Sequence, residues 1–193
     1  VGKWSIGQGT LGSSNDYTIS TFNSADYVVS PRSLYVTAKN QTKRYGDQNP
    51  VFDYVISGDG LLASDTMSGS LAHNSNGHAG TWNIDQGDLA PSADYVVNAF
   101  TGADFTISKR DLVITAHAKS KKYGTNDPDF TYSIFGDGLA DGESLSGNLE
   151  SNSSGHVGKS TISRGTLGAS SDYNISRVET ASFDVTPRHI LVN

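Results

Sequence analysis

The 193-residue chain carries 14 Lys and Arg against 20 Asp and Glu, a formal net charge of −6, no cysteine and 35% hydrophobic residues. Composition therefore excludes a disulfide framework, a thiolate metal site and a cysteine nucleophile, and scattered basic residues on an acidic background exclude the clustered basic face that nucleic acid requires. The apolar content is lean, so small cores are expected. No apolar run approaches the ~18 residues of a membrane helix, which argues against membrane insertion. Val1-Gly2-Lys3-Trp4 lacks a signal-peptide layout and reads as the interior of a longer chain.

Along the chain the apolar period is two rather than 3.6. Leu34–Ala38, Phe52–Ile56, Thr81–Ile84, Tyr95–Val97 and Asp104–Ile107 are short, rich in β-branched and aromatic residues, and bounded by Gly, Asn, Asp, Ser or Pro. They predict strands. Asn76-Gly77 and Ser154-Gly155 are turn signals. Leu61–Asp65 and Leu139–Glu143 have room for one helical turn and no more.

The pattern repeats. Tyr45-Gly46 recurs 78 residues later as Tyr123-Gly124, and the same offset carries Gly58–Leu61 onto Gly136–Leu139, Gly77-His78 onto Gly155-His156, and Asp94-Tyr95 onto Asp172-Tyr173. Subtracting it instead places Trp82, Ile84, Leu89 and Tyr95 on Trp4, Ile6, Leu11 and Tyr17. A period of this length exceeds a solenoid turn and suits an independent small domain. The expected organisation is the C-terminal half of a repeat at 1–33, full repeats at 34–111 and 112–189, and the start of another at 190–193. Ser30-Pro31-Arg32, Ser108-Lys109-Arg110 and Thr186-Pro187-Arg188 are the joints, too short to allow much independent tumbling. Six or seven strands per repeat predict an all-β fold of tandem, Ig-like small β-sandwiches placed end to end, with an open β-grasp-like sheet as the alternative. Phe52, Tyr54, Leu71, Ile84, Leu89, Tyr95, Phe105 and Ile107 are the expected core.

One unit reads Tyr-Gly, a polar gap, Pro, Phe-x-Tyr, Gly-Asp-Gly-Leu, Ser-Gly-x-Leu, Gly-x-x-x-Ile, Gly-x-Leu, Asp-Tyr and a closing Phe-x-Ile. This string resembles the bacterial MBG domain of the YGX type, over both full copies and the leading half copy. The resemblance implies tandem domains in large secreted or surface-attached bacterial proteins similar to fibrillar adhesins and filamentous haemagglutinins, where such domains form the stalk. It implies no catalytic residues.

Each residue of a type able to carry chemistry has a structural reading beside the functional one. Tyr45 and Tyr123 are candidate ligand-stacking rings, but a tyrosine opening a loop is expected to pack its ring and cap backbone with its hydroxyl. Gly46 and Gly124 then supply a positive φ or a close approach. Asp59, Asp65, Asp137 and Glu143 lie in glycine-rich loops, yet their spacing lacks the alternating ligands of a calcium loop, and backbone capping is expected. His73, His78 and His156 are too few per unit for zinc, and the two after glycine turns are read as surface turns.

Trp4 and Trp82 share a repeat position with Ser160, so that position is not a deep core site. A ring over a domain joint is one reading and a sugar-contacting aromatic the other. Lys43, Arg44, Lys121 and Lys122 read as a solvated face. An isopeptide crosslink from lysine to Asn or Asp would suit a stalk, but no buried acid is identified for it. No catalytic, cofactor-binding or metal-ligating residue is assigned, and no cofactor is expected.

The leading expectation is a structural stalk segment of a secreted or cell-surface bacterial adhesin or biofilm fibre, giving rigid extension without enzyme activity. Its partners would be neighbouring repeats of the same chain and, through strand addition, other copies. The alternative is a glycan- or protein-binding module, meeting a host or biofilm partner through Trp4, Trp82 and Phe100, a position that changes to Val178 in the next copy.

Overall fold

A computed structural model describes residues 1–192. Its regular structure is all β, as expected, in two tandem repeats of one design. The leading segment holds β1 (Gly2–Ile6) and β2 (Ala25–Val29), paired antiparallel with Trp4 opposite Tyr27. The first full repeat contributes β3 (Arg32–Ala38), β4 (Gln41–Arg44), β5 (Tyr54–Gly58), β6 (Ala72–His73), β7 (Gly80–Asp85), β8 (Tyr95–Thr101) and β9 (Ala103–Ser108). The second contributes β10 (Arg110–Ala116), β11 (Lys119–Lys122), β12 (Tyr132–Gly136), β13 (Glu150–Ser151), β14 (Gly158–Ser163), β15 (Tyr173–Glu179) and β16 (Ala181–Thr186). No described helix is long and apolar enough to cross a membrane.

The described residues cluster into two compact units. One comprises Val1–Asn40, Val51–Asn74 and Asn83–Asp104; the other comprises Gln41–Pro50, Ser75–Trp82 and the chain from Phe105 onward. The Tyr45-Gly46 loop and the His78 turn thus group with the second repeat, although they precede it in sequence.

The second repeat shows how the layers are built. One sheet has the order β12-β10-β15 and the other β11-β16-β14-β13. In β10 every second residue faces inward: Leu112, Ile114 and Ala116 are buried. Phe183 and Val185 of β16, Ile162 of β14, Tyr173 of β15, and Leu149 and Leu167 from the connecting loops complete one core cluster between the sheets. Phe130 meets Phe183 edge-on at 5.3 Å. The chain changes layers at Thr180, leaving β15 beside β10 and sending β16 into the opposite sheet.

Two pairings are parallel and join distant parts of a repeat. β10 runs parallel to β15, with a register shift at Leu112/Val113, and β11 runs parallel to β16. In the first repeat β3 pairs parallel with β8, and β4 with β9. A parallel pair cannot be closed by a hairpin. The first strands of a repeat therefore find their parallel partners only when its last strands are present.

The expected core is correct for Leu71, Ile84, Leu89, Tyr95, Phe105 and Ile107, which are buried, whereas Phe52 and Tyr54 are half-buried. Leu34, Val36 and Ala38, unnamed in the expected core, are buried as well. The predicted strand at Phe52–Ile56 starts two residues late, at Tyr54. Leu61–Asp65 forms a turn in which the Asp65 N–H donates to the Leu62 carbonyl at 2.9 Å. Strands β4 and β6, absent from the period-two reading, are polar or only two residues long.

Glycine is required where backbones close. Gly69 and Gly147 have φ near 76°, and a Cβ there would lie 2.3 Å from the Asp88 carbonyl oxygen and 2.2 Å from that of Thr166. These contacts sit beside the isolated bridges Ser68↔Ala90 and Ser146↔Gly168.

Phe183 is fully buried and Phe135 is 56% exposed. Phe183→Ala is expected to cost about 3–5 kcal/mol, and Phe135→Ala to stay within about 0.5 kcal/mol, both read from urea denaturation midpoints.

Candidate functional site

A polar cluster in the second unit forms around the Tyr-Gly loop. Strand β4 delivers it: after Arg44 the Tyr45 N–H donates to the Ser108 carbonyl at 2.9 Å, extending the parallel β4/β9 ladder by one bond. Gly46 follows with φ 77°, and a Cβ there would stand 2.6 Å from the Cβ of Ala140. Both expected reasons for that glycine, positive φ and close approach, are present.

Tyr45 uses its side chain differently from the expectation. Its hydroxyl donates not to backbone but to Oε1 of Glu143 at 2.6 Å, and Tyr173 donates to Oε2 of the same carboxylate. The two rings meet edge-on with centroids 5.6 Å apart, and the His78 ring lies nearly parallel to that of Tyr45, centroids 6.2 Å apart and planes 9° apart. His78 is not a plain surface turn either. Its Nδ1 lies 2.8 Å from Asp172, whose other oxygen accepts the Ala79 N–H at 2.7 Å. Asp172 is the one buried charged side chain among the described residues, and both its oxygens are engaged.

Arg110, at the start of β10, fastens the loop from below. Its guanidinium donates to the Tyr45 carbonyl at 2.6 Å, to the Asp137 carbonyl at 2.8 Å and to the Asp47 carboxylate at 2.6 Å. Such a fork needs the planar geometry of arginine. Arg44 reaches Asp137 as well, so it is not merely a solvated charge. Asp137 in turn caps the Asp111 N–H at 3.0 Å.

The remaining candidates fill structural positions. Asp59 caps the Ser33 N–H at 2.8 Å, as expected of a backbone-capping acid, and Asp65 accepts the Tyr95 hydroxyl. His73 packs edge-on against Phe52 at 5.3 Å. Trp82 donates its indole N–H to the His78 carbonyl at 3.1 Å, Trp4 is half-exposed against Tyr27, and Ser160 at the same repeat position donates to the Phe183 carbonyl at 3.0 Å. Lys43 and Lys121 fold back onto the carbonyls of Asp47 and Thr125. Among the described residues no three His, Asp or Glu side chains gather as a metal would need.

The sequence profile of the MBG domain (YGX type) matches residues 34–106 and 112–183, together more than half of the chain. The chain belongs to this family. The Tyr45-Gly46 pair seated at Glu143 and Ala140 lies within the first matched range. No curated protein and no solved structure matches the chain.

Arg110, Asp47 and Asp172 were not singled out from sequence. The signal available was recurrence: Arg32, Arg110 and Arg188 share one repeat position, and Asp94 and Asp172 another.

The titrations of the cluster follow from its bonds. Hydrogen bonds from Tyr173 and then Tyr45 hold the Glu143 carboxyl below its ordinary 4.5. Glu143's bond, followed by burial, pushes the Tyr45 phenol from 10.0 up to about 12. For Asp172, burial pushes upward, but the Ala79 N–H and the His78 ring outweigh it and the net shift is downward. The lowered carboxyl contributes stability above the unfolded value of 4.5 that is lost as pH falls through its folded pKa; the raised phenol contributes stability below 10 that is lost as pH rises toward 12. Ultraviolet titration is therefore expected to show fewer tyrosines ionising above the ordinary value of 10 in Tyr45→Phe than in the native chain, with the raised Tyr95 and Tyr173 retained; an unchanged high-pH tyrosinate amplitude would contradict this.

Proposed function

We propose that this pair of MBG domains is a stalk segment of a secreted or cell-surface bacterial adhesin or biofilm fibre, whose task is rigid extension and the transmission of load, with no enzymatic step of its own. The observation that carries this reading is the seating of the Tyr-Gly loop: Tyr45 precedes the second repeat in sequence yet is bound by Arg110, Glu143 and Tyr173 of it. A joint of only two or three residues, stiffened by proline in Ser30-Pro31-Arg32 and Thr186-Pro187-Arg188, favours extension over free tumbling. The gapless 78-residue offset adds further support, because insertions at such joints would spoil the seating.

Load entering a repeat passes into ladders that tie its first strands to its last. β10 holds β12 on one side and β15 on the other, and β11 holds β16. With seven-residue central strands at ~3.3 Å per residue, each repeat would add roughly 23 Å of reach along its strands. The glycan-binding alternative draws less support, since Trp82 uses its indole N–H internally and Ser160 replaces it in the next copy.

Small-angle scattering of the chain tests the proposal. The expected result is a pair-distance distribution with the long tail of an elongated particle; a compact two-lobed particle would overturn it.

A further inference from the structure

Each full repeat has four sheet edges, and three of them carry a device that discourages pairing with another chain. The edges β4 and β11 read Gln-Thr-Lys-Arg and Lys-Ser-Lys-Lys, so cationic side chains stand where an incoming strand would lie. The edges β6 and β13 are two residues long. The edges β8 and β15 each meet their one neighbour with a register shift, and β15 adds the Arg177–Glu179 ion pair. The fourth edge is β5 in the first repeat and β12 in the second. It carries no charged residue, no proline and no shift.

This edge position recurs in the first repeat, which has chain on both sides of it, so it belongs to the design of the repeat. The two copies differ at the residue that opens the strand. The His117 N–H donates to the Thr131 carbonyl and the Asp137 N–H to the Asp111 carbonyl, each at 2.9 Å. Antiparallel alternation between those bonds turns the N–H and C=O groups of Tyr132, Ile134 and Gly136 away from β10. The same alternation turns those of Tyr54, Ile56 and Gly58 away from β3. In β5 the first of these donors is already taken: the Tyr54 N–H donates to Oδ1 of Asp53 at 2.8 Å, and Lys39 holds the other oxygen of Asp53 at 2.5 Å. In β12 Thr131 stands in place of Asp53. Its hydroxyl and that of Ser133 meet the two ring nitrogens of His117, at 3.0 and 2.8 Å. Only β12 therefore offers its whole outward row, with Phe135 beside it 56% exposed.

We propose that β12 is a self-association edge, which pairs antiparallel with the β12 of a second copy of this chain about a two-fold axis at Ile134. The two three-stranded sheets then continue into one another. The strand is its own complement in this register. Ile134 meets Ile134, Tyr132 meets Gly136, and the large Phe135 meets the small Ser133 on the outward face. The charges complement as well: the acidic end of one edge, Asp137 beside Asp111, faces the Thr131 and His117 end of the other. A parallel alignment would instead set Phe135 beside Phe135 and acid beside acid. The same patch serves both copies, so the association closes at two chains.

Sedimentation of the whole chain across a concentration series tests this, and the expected result is a reversible monomer–dimer equilibrium. Phe135→Lys puts an ammonium on the open edge and should weaken dimerisation about 10-fold or more. Ser57→Lys, the matching change in β5, should leave it unaltered. Urea midpoints measured in dilute solution should be the same for both variants, which separates lost pairing from lost folding. The chain has no cysteine, so the double variant Ser133→Cys, Phe135→Cys carries only the introduced thiols. These face each other across a pair without backbone bonds, where side chains approach closest. Mild oxidation should link two chains, with peptide mapping joining position 133 of one to position 135 of the other. A monomer at every concentration up to about 1 mM, association beyond two chains, equal weakening by Ser57→Lys, or crosslinks joining 133 to 133 would overturn the proposal.

Discussion

One carboxylate shared by two phenols organises the polar half of this structure. Glu143 accepts from Tyr45 and Tyr173, and seating the Tyr45 ring against Tyr173 and His78 sets everything near it. The chain must turn sharply after the ring, which calls for Gly46 in a left-handed conformation against Ala140. The turn leaves the Tyr45 carbonyl pointing at Arg110, whose fork also gathers Asp47 and Asp137. Charge-assisted bonds of this kind are stronger than neutral ones and demand defined geometry. A tyrosine and glycine that look ordinary in sequence thus become the key of a lock.

The apolar half obeys a different constraint. A central strand such as β10 has an antiparallel neighbour close in sequence and a parallel neighbour from the far end of the repeat. Leu112 and Ile114 from the first half of the second repeat share one core cluster with Ile162, Phe183 and Val185 from its second half, so each half buries the inward-facing residues of the other.

What could be read from the sequence follows the same division. Alternation in Leu34–Ala38 marked a strand, because a half-buried strand writes its burial into every second residue, although its buried Leu34, Val36 and Ala38 were not placed in the expected core. The 78-residue offset exposed the tandem design and the family. Strand β4 escaped notice because an edge strand of Gln, Thr, Lys and Arg shows no apolar alternation. The roles of Tyr45, His78 and Asp172 escaped because each partner lies more than ninety residues away, and a loop tyrosine gives no local sign of which carboxylate it will meet. Recurrence at the repeat period was the usable trace: an acid at both 65 and 143, a tyrosine at both 95 and 173, a histidine at both 78 and 156.

The central claim is that the YGX tyrosine is bound by the carboxylate of the repeat that follows it, and a double-mutant cycle between Tyr45→Phe and Glu143→Gln, read by urea denaturation at neutral pH, tests it most directly. The account predicts a favourable coupling of about 1 kcal/mol between the two side chains, within the range found for groups in direct contact. Strictly additive single effects would contradict it.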